Sequence, residues 1–280
     1  VYCWQAVRWR LLLLPVERVT FRQAVSAIYV GLFANEVLPF RAGEILRCYL
    51  VSRWTKLPFS VAISSALIER IFDGIWLCLC LLVSIRLVGV HHHHVPWLVR
   101  SGYFLGTIVL AGAALLALAV FLRQKTRALL SGDGWQRHLR VLIDDLNLIG
   151  HSRYLYFAFL QSLPYLLLQV IPIYAAFQAY GFDLSIGVAF ALMVILRLGS
   201  VVPQAPGNLG LFQLLTKEAL ERLFNVVPSE AARFSLVLWA TVTIPLLAAG
   251  FIALMASGSK LFELKRAAED HASEIANNRP

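Results

Sequence analysis

Charge is scarce in this sequence. Only 15% of its 280 residues are Asp, Glu, Lys or Arg, against 59% apolar residues and a mean hydropathy of +0.70. Soluble domains carry about 25% charged and roughly 45–50% apolar residues, so the composition excludes an ordinary cytosolic enzyme, a disordered chain and a collagen-like fibre. Acidic residues are the rarer sign, 16 against 25 basic ones, which leaves a net charge of +9. On a soluble protein that excess would suggest nucleic acid. Here Lys and Arg gathering in cytoplasmic loops accounts for it, and no nucleic-acid partner is expected.

Cysteine is also sparse, with four in the chain. Cys78 and Cys80 are two apart on a predicted helix and point to different faces, while Cys3 and Cys48 have no partner at metal-site spacing. All four are expected to be unpaired, buried thiols, which excludes a disulfide scaffold. The histidine run at 91–94 lacks carboxylate or Cys ligands and reads as a solvated loop, so no metal is expected. No G-x-x-x-x-G-K-[ST] motif is present, no nucleotide is expected to drive the protein, and no cofactor is implied. No charged segment followed by a small-residue cleavage site predicts a signal peptide. Residues 1–14 resemble the tail of a spanning helix ending in Arg8, Trp9 and Arg10, and with Val1 in place of a Met start the sequence is expected to be a fragment.

What is present is a series of apolar runs of about the 20 residues that cross a ~30 Å hydrocarbon layer. Long helices are predicted at 58–88, 97–122, 154–180 and 230–256. The stretch 123–153 holds the densest basic cluster, including Arg123, Lys125, Arg127, Arg137, Arg140 and Arg153, and is assigned to the cytoplasm. Threading outward from it puts 86–96 and 181–184 outside, and Arg53, Lys56 and the tail with Lys260, Lys265 and Arg266 inside. The division is a membrane domain at 1–257 and a charged cytoplasmic tail at 258–280, in a bacterial-type plasma (inner) membrane.

Two apolar segments do not fit a simple crossing. Arg18 and Arg22 flank the start of 21–39, and Arg41, Arg47, Arg53 and Lys56 follow it, so both of its ends should be cytoplasmic. The segment 185–203 has the complementary problem, with both ends outside. Each closes with Pro-x-x-x-Gly, Pro39 to Gly43 and Pro203 to Gly207, and is followed by a more polar helix at 44–54 or 211–224. Matched apolar segments broken by Pro and Gly in two halves are the mark of inverted-repeat transporters. Such broken backbone survives at membrane depth only where protein or a wet cavity surrounds it. The predicted fold is an all-α polytopic membrane helix bundle with two re-entrant helices in an inverted-repeat arrangement.

Three constellations carry the candidate chemistry. In the first, Asn35, Pro39, Arg41, Gly43, Glu44 and Arg47 cluster at a turn, and Glu44 and Arg47 share a helix face. Two guanidiniums at such a mouth suit a phosphate, although Glu44 neutralising one Arg in a simple anchor is the alternative. In the second, Glu69 and Asp73 stack at i and i+4 with Arg70 beside them. Ionisable groups within a membrane helix face the bundle interior and are functional candidates by default; a clamp to the first turn is the structural alternative. In the third, Arg197 precedes a turn with Pro203, Pro206, Gly207 and Gly210, where Asn208 and Gln213 add neutral polar contacts.

These blocks, in this order and spacing, resemble the membrane domain of the lysylphosphatidylglycerol synthase/flippase family, which includes the multiple peptide resistance factor. The resemblance covers most of the chain. Where the family usually reads Pro-Gly-Gly-x-Gly with a following Glu, this chain has Asn208 and Gln213, so one carboxylate is lost. No aminoacyl-transferring domain is expected after Pro280. The resemblance therefore implies lipid translocation and not lipid synthesis. The expectation is a non-enzymatic, flippase-like protein in which Arg41, Arg47 and Arg197 hold the phosphate of a phospholipid or polyprenyl-type lipid while Glu69 and Asp73 tune the charge. A membrane-embedded transferase, or an accessory subunit acting on lipid-linked substrates, is the alternative. Self-association is compatible with either.

Overall fold

The computed structural model describes residues 1–38, 42–88, 107, 149, 152–200, 206–258 and 266. The predicted helix at 97–122 apart from Thr107, the histidine run, most of the basic loop, and Pro39, Arg41, Pro203 and most of the tail lie outside the described residues. Among the described residues the chain is helical and contains no strand. We number the described helices α1 (Tyr2–Leu13), α2 (Phe21–Val37), α3 (Gly43–Trp54), α4 (Phe59–Val88), α5 (Arg153–Leu167), α6 (Val170–Tyr180), α7 (Ile186–Gly199), α8 (Leu211–Phe224) and α9 (Pro228–Ala256).

Local chemistry sets most of these boundaries. Thr20 and Gln23 form a capping box that starts α2, the Gln23 N–H donating to Thr20 Oγ1 at 3.3 Å and the Thr20 N–H to Gln23 Oε1 at 3.1 Å. Gly181 ends α6 at φ 84°, a left-handed conformation that costs glycine little. Pro228 opens α9, where a missing N–H has no intrahelical partner to lose.

The helix predicted at 154–180 forms as one helical stretch, Arg153–Tyr180, interrupted between α5 and α6 by a turn at Leu168 and Gln169. Pro172 supplies the reason. Its ring crowds the carbonyl four residues earlier, that of Leu168, and it has no N–H to give that carbonyl. The opening reading also changes: α1 continues through Arg10 to Leu13, and Arg8 and Trp9 are wholly buried within it. Cys48 and Cys80 are buried as expected, but Cys3 is exposed on the same outward face of α1 as Val7.

The core divides into two apolar clusters. One gathers α1, α2, α3 and the first half of α4, with Trp9, Ile28, Leu46 and Ala62 among its members. The other gathers the second half of α4 with α6, α7, α8 and α9, around Phe177, Leu192, Leu220 and Phe234. Each cluster contains a helix that breaks and packs against its successor, α2 with α3 and α7 with α8. The first pair is antiparallel: Gln23 Nε2 donates to the Trp54 carbonyl at 3.3 Å, and the Gly43 N–H to Asn35 Oδ1 at 2.9 Å. Glycine permits this approach. A Cβ on Gly31 would lie 2.7 Å from the Gly43 carbonyl oxygen, and one on Gly43 would overlap that of Gly31. In the second pair a Cβ on Gly199 would overlap Leu215.

Large apolar side chains point outward, as on Tyr156, Leu160, Ile244 and Ile252. Among the described residues two helical stretches, Arg153–Tyr180 and Pro228–Ala256, are long and apolar enough to cross a membrane.

Helix contact through bare backbone makes a sharp prediction. Gly43→Ala should destabilise the protein by about 1–3 kcal/mol, the usual cost of forcing a methyl group into a packed core. Gly187, whose added Cβ would meet nothing nearer than 3.5 Å, should accept Ala without loss. Thermal unfolding in detergent compares the two, and equal melting temperatures would contradict the packing described.

Candidate functional site

The two clusters meet along α4, and Glu69, Arg70 and Asp73 lie at that junction. Glu69, 1% exposed, accepts from Arg8 Nη2 at 2.9 Å and from Arg8 Nε at 3.1 Å. Its other oxygen lies 2.8 Å from Arg47 Nη2, which is also 2.9 Å from Glu44. Arg8 continues to Asp73, and Arg70 to Glu44. Three guanidiniums and three carboxylates thus alternate across α1, α3 and α4.

Neutral groups complete the shell. Arg8 donates to Ser162 Oγ at 3.0 Å and lies 4.7 Å from the Tyr165 ring centroid. Arg47 lies 4.9 Å from the Trp9 ring, whose Nε1 donates to Ser65 Oγ at 2.9 Å. Buried ions are tolerable only when paired this fully, because desolvating each costs several kcal/mol.

Beside this network opens a cavity of about 340 Å³. Its walls come from α1, α2, α3, α4, the α5–α6 break, α7, the 206–208 turn, α8 and α9. Tyr2, Gln5, Asn35, Glu36, Glu44, Arg70, Tyr165, Gln169, Arg197 and Asn208 line it together with apolar groups such as Leu32, Met193 and Phe212. The two broken segments meet here: Asn208 Nδ2 donates to Glu36 Oε1 at 2.7 Å across 172 positions of sequence. Arg197 donates from Nε to Gln169 Oε1 at 2.5 Å and from Nη2 to the Tyr165 hydroxyl at 2.9 Å. Both of these partners are neutral, and among the described residues no carboxylate forms an ion pair with Arg197.

The sequence candidates therefore separate. Asn35, Glu44, Arg70, Arg197 and Asn208 line the cavity. Arg47, Glu69 and Asp73 do not, and stand behind its wall in the ion network. Gln213 accepts the Gly210 N–H at 2.7 Å and caps α8. Gly207 and Gly210 take positive φ values of 72° and 93°, and the Gly207 carbonyl accepts from Trp239 Nε1 at 2.7 Å, so Gly207 and Gly210 shape the turn that Pro206 opens. Arg41, Pro39 and Pro203 lie outside the described residues.

Arg70 pairs with Glu44 and not with its helix neighbour Asp73, which Arg8 takes instead. Arg8 was thus missed as a network member, although an Arg inside an apolar run is the same signal that singled out Arg197. Glu36, Gln5, Tyr165 and Gln169 were also missed. Only Gln169, a polar residue between Pro164 and Pro172, carries a visible sequence cue. Among the described residues no group of His, Cys, Asp or Glu is arranged to hold a metal.

An all-helical bundle with lipid-length apolar stretches and a charged interior cavity defines a helical membrane protein. The chain belongs to the family described as the lysylphosphatidylglycerol synthase TM region, which matches residues 1–250. It is similar to a protein named Glycosyltransferase AglD from Haloferax volcanii, 24% identical over 243 residues, covering 74% of this chain and 39% of that protein. A UPF0104 membrane protein from Methanothermobacter thermautotrophicus is 31% identical over 84 residues, covering 29% of this chain and 24% of that protein. The chain thus spans less than half the length of either relative. No solved structure matches it significantly.

The network predicts unequal costs for its cations. Arg8→Met strands Asp73 and half of Glu69 and should cost about 3–5 kcal/mol. Arg70, 47% exposed at its side chain, should cost under about 1 kcal/mol when changed to Met. Adding Asp73→Leu to Arg8→Met should recover part of the first loss. Melting temperatures in detergent test the order, and an Arg70 variant as unstable as the Arg8 variant would contradict it.

Proposed function

We propose that this is a flippase-like integral membrane protein that takes a phosphate-bearing lipid headgroup into the cavity between its two broken-helix hairpins. One observation carries the reading: Arg197 projects a cation into an interior cavity with only neutral hydrogen-bond partners among the described residues. A charge left uncancelled in a poorly polarisable interior is costly, and an anionic ligand offsets that cost when it binds. A phosphate suits a guanidinium because its oxygens can accept two parallel N–H bonds. The phosphate contact therefore rests with Arg197. Arg47 instead acts through the wall, holding Glu44 and Glu69 in place.

We read both hairpins as re-entrant and as an inverted pair. Helix lengths support this. α7, with 14 residues, is about 21 Å long and α2, with 17, about 25 Å, both short of a ~30 Å hydrocarbon layer. The meeting of Glu36 with Asn208 supports it as well, since re-entrant tips from opposite sides converge near mid-membrane. The membrane is then the plasma membrane, with the C-terminus cytoplasmic. The name of the Haloferax relative favours a second reading, in which the same cavity presents a lipid-linked substrate to a transferase.

Two measurements test these readings. In a background without native cysteines, single cysteines at Gly181 and Asn225 should both react with an impermeant thiol reagent applied outside; labelling of one alone would overturn the re-entrant assignment. In reconstituted vesicles, Arg197→Gln should slow transfer of a fluorescent phospholipid at least tenfold. Arg222→Gln, at an exposed surface pair, should leave it unchanged. Equal rates for both would remove Arg197 from the site, and a wild-type protein that moves no lipid but supports glycosyl transfer would favour the second reading.

A further inference from the structure

A guanidinium carries several N–H donors in a fixed fork, and the ion pairs of Arg47 use one corner of it. Glu44 and Glu69 both make their closest approach to Nη2, at 2.9 and 2.8 Å. Nε and Nη1 have no hydrogen-bond partner among the described residues, although Arg47 is only 3% exposed. One turn before Arg8 on α1, Gln5 has the complementary deficit. It is 5% exposed, and its Oε1 meets no donor among the described residues. Stranded donors and acceptors are costly in an apolar interior, and native proteins satisfy nearly all of them. Gln5 and Arg47 line a second cavity, of about 10 Å³, with Gly31, Asn35, Gly43 and Glu44. It lies beside the point where α2 and α3 touch through bare backbone.

We propose that this small cavity binds one water molecule, which accepts from Arg47 and donates to Gln5 Oε1. Size and charge both select water. A volume of about 10 Å³ is roughly that of one water-sized sphere, so neither a lipid headgroup nor a hydrated ion fits. Arg47 repels a bare cation there, and the Glu44 carboxylate repels an anion. Arg47 lacks an acceptor and Gln5 lacks a donor, and a water supplies both at once. Buried waters typically make about three hydrogen bonds, and Asn35 adds a further polar side chain to the wall. The water joins α1 to α3 where the two side chains make no hydrogen bond to each other. Gln5, Leu32, Asn35 and Glu44 also line the large cavity, so the water stands in the partition between that cavity and the ion network. Its place there does not depend on what the large cavity takes.

Two measurements on the full chain test this. The protein crystallised from a lipid mesophase, at a resolution that shows ordered waters, should carry a density peak within hydrogen-bond distance of both Gln5 Oε1 and an Arg47 nitrogen. The second measurement is the sign of a stability change. Gln5→Met keeps the length of the side chain and removes the acceptor. If a water bridges the pair, the substitution takes away a hydrogen bond, and the melting temperature in detergent should fall by about 2–4 °C. If Oε1 is instead a stranded acceptor, its removal relieves a cost, and the melting temperature should hold or rise. A map without a peak between the two side chains would overturn the proposal. So would a peak that reaches only one of them, or a Gln5→Met protein at least as stable as the parent. Should Gln5→Met fail to fold, the map of the parent protein decides.

Discussion

At the middle of α4 a carboxylate with 1% of its surface exposed, Glu69, is held between the guanidiniums of Arg8 and Arg47. Neither ion could stay charged there alone, since isolated charges in an apolar interior are prohibitively costly. The pairing therefore dictates where α1, α3 and α4 sit relative to one another. Asp73 and Arg70 extend the same constraint along α4, one toward α1 and the other toward α3. The apolar clusters on either side supply the bulk of the burial, but they are non-directional. The ion network selects one arrangement among the many that would bury Leu and Val equally well.

The cavity follows from this constraint and from two devices in the backbone. Gly31 against Gly43 brings α2 and α3 to backbone contact, so α3 carries Glu44 to the cavity wall. Pro172 breaks the helix between α5 and α6 and leaves Gln169 and Tyr165 facing Arg197. Tyr165 also lies against Arg8, so one aromatic ring borders both the closed ion network and the cation of the cavity. A paired set of charges thus stands directly behind a guanidinium whose hydrogen-bond partners among the described residues are neutral. The first fixes the helices, and the second places a cation at the cavity wall.

Membership of the lysylphosphatidylglycerol synthase TM-region family covers nearly the whole described chain. The relatives from Haloferax volcanii and Methanothermobacter thermautotrophicus extend well beyond the matched part, so what those whole proteins do does not pass to this chain by similarity alone.

By itself the sequence determined the class and most of the elements. Apolar runs and scarce charge are properties of composition, and helix ends at Thr20, Gly181 and Pro228 follow from local hydrogen bonding and backbone freedom. It also marked Arg197 and the Glu69-Arg70-Asp73 trio, because an ionisable residue in an apolar helix is conspicuous without any fold. Tertiary structure alone decided which charge meets which. Residues 8 and 69, or 36 and 208, lie far apart along the chain, and no periodicity encodes such a pairing. Whether a guanidinium is cancelled, as in Arg47, or left to neutral partners, as in Arg197, depends on what the folded chain places within 3 Å of it. That distance is set by helix packing, and helix packing is the sum of contacts that no single stretch of sequence contains.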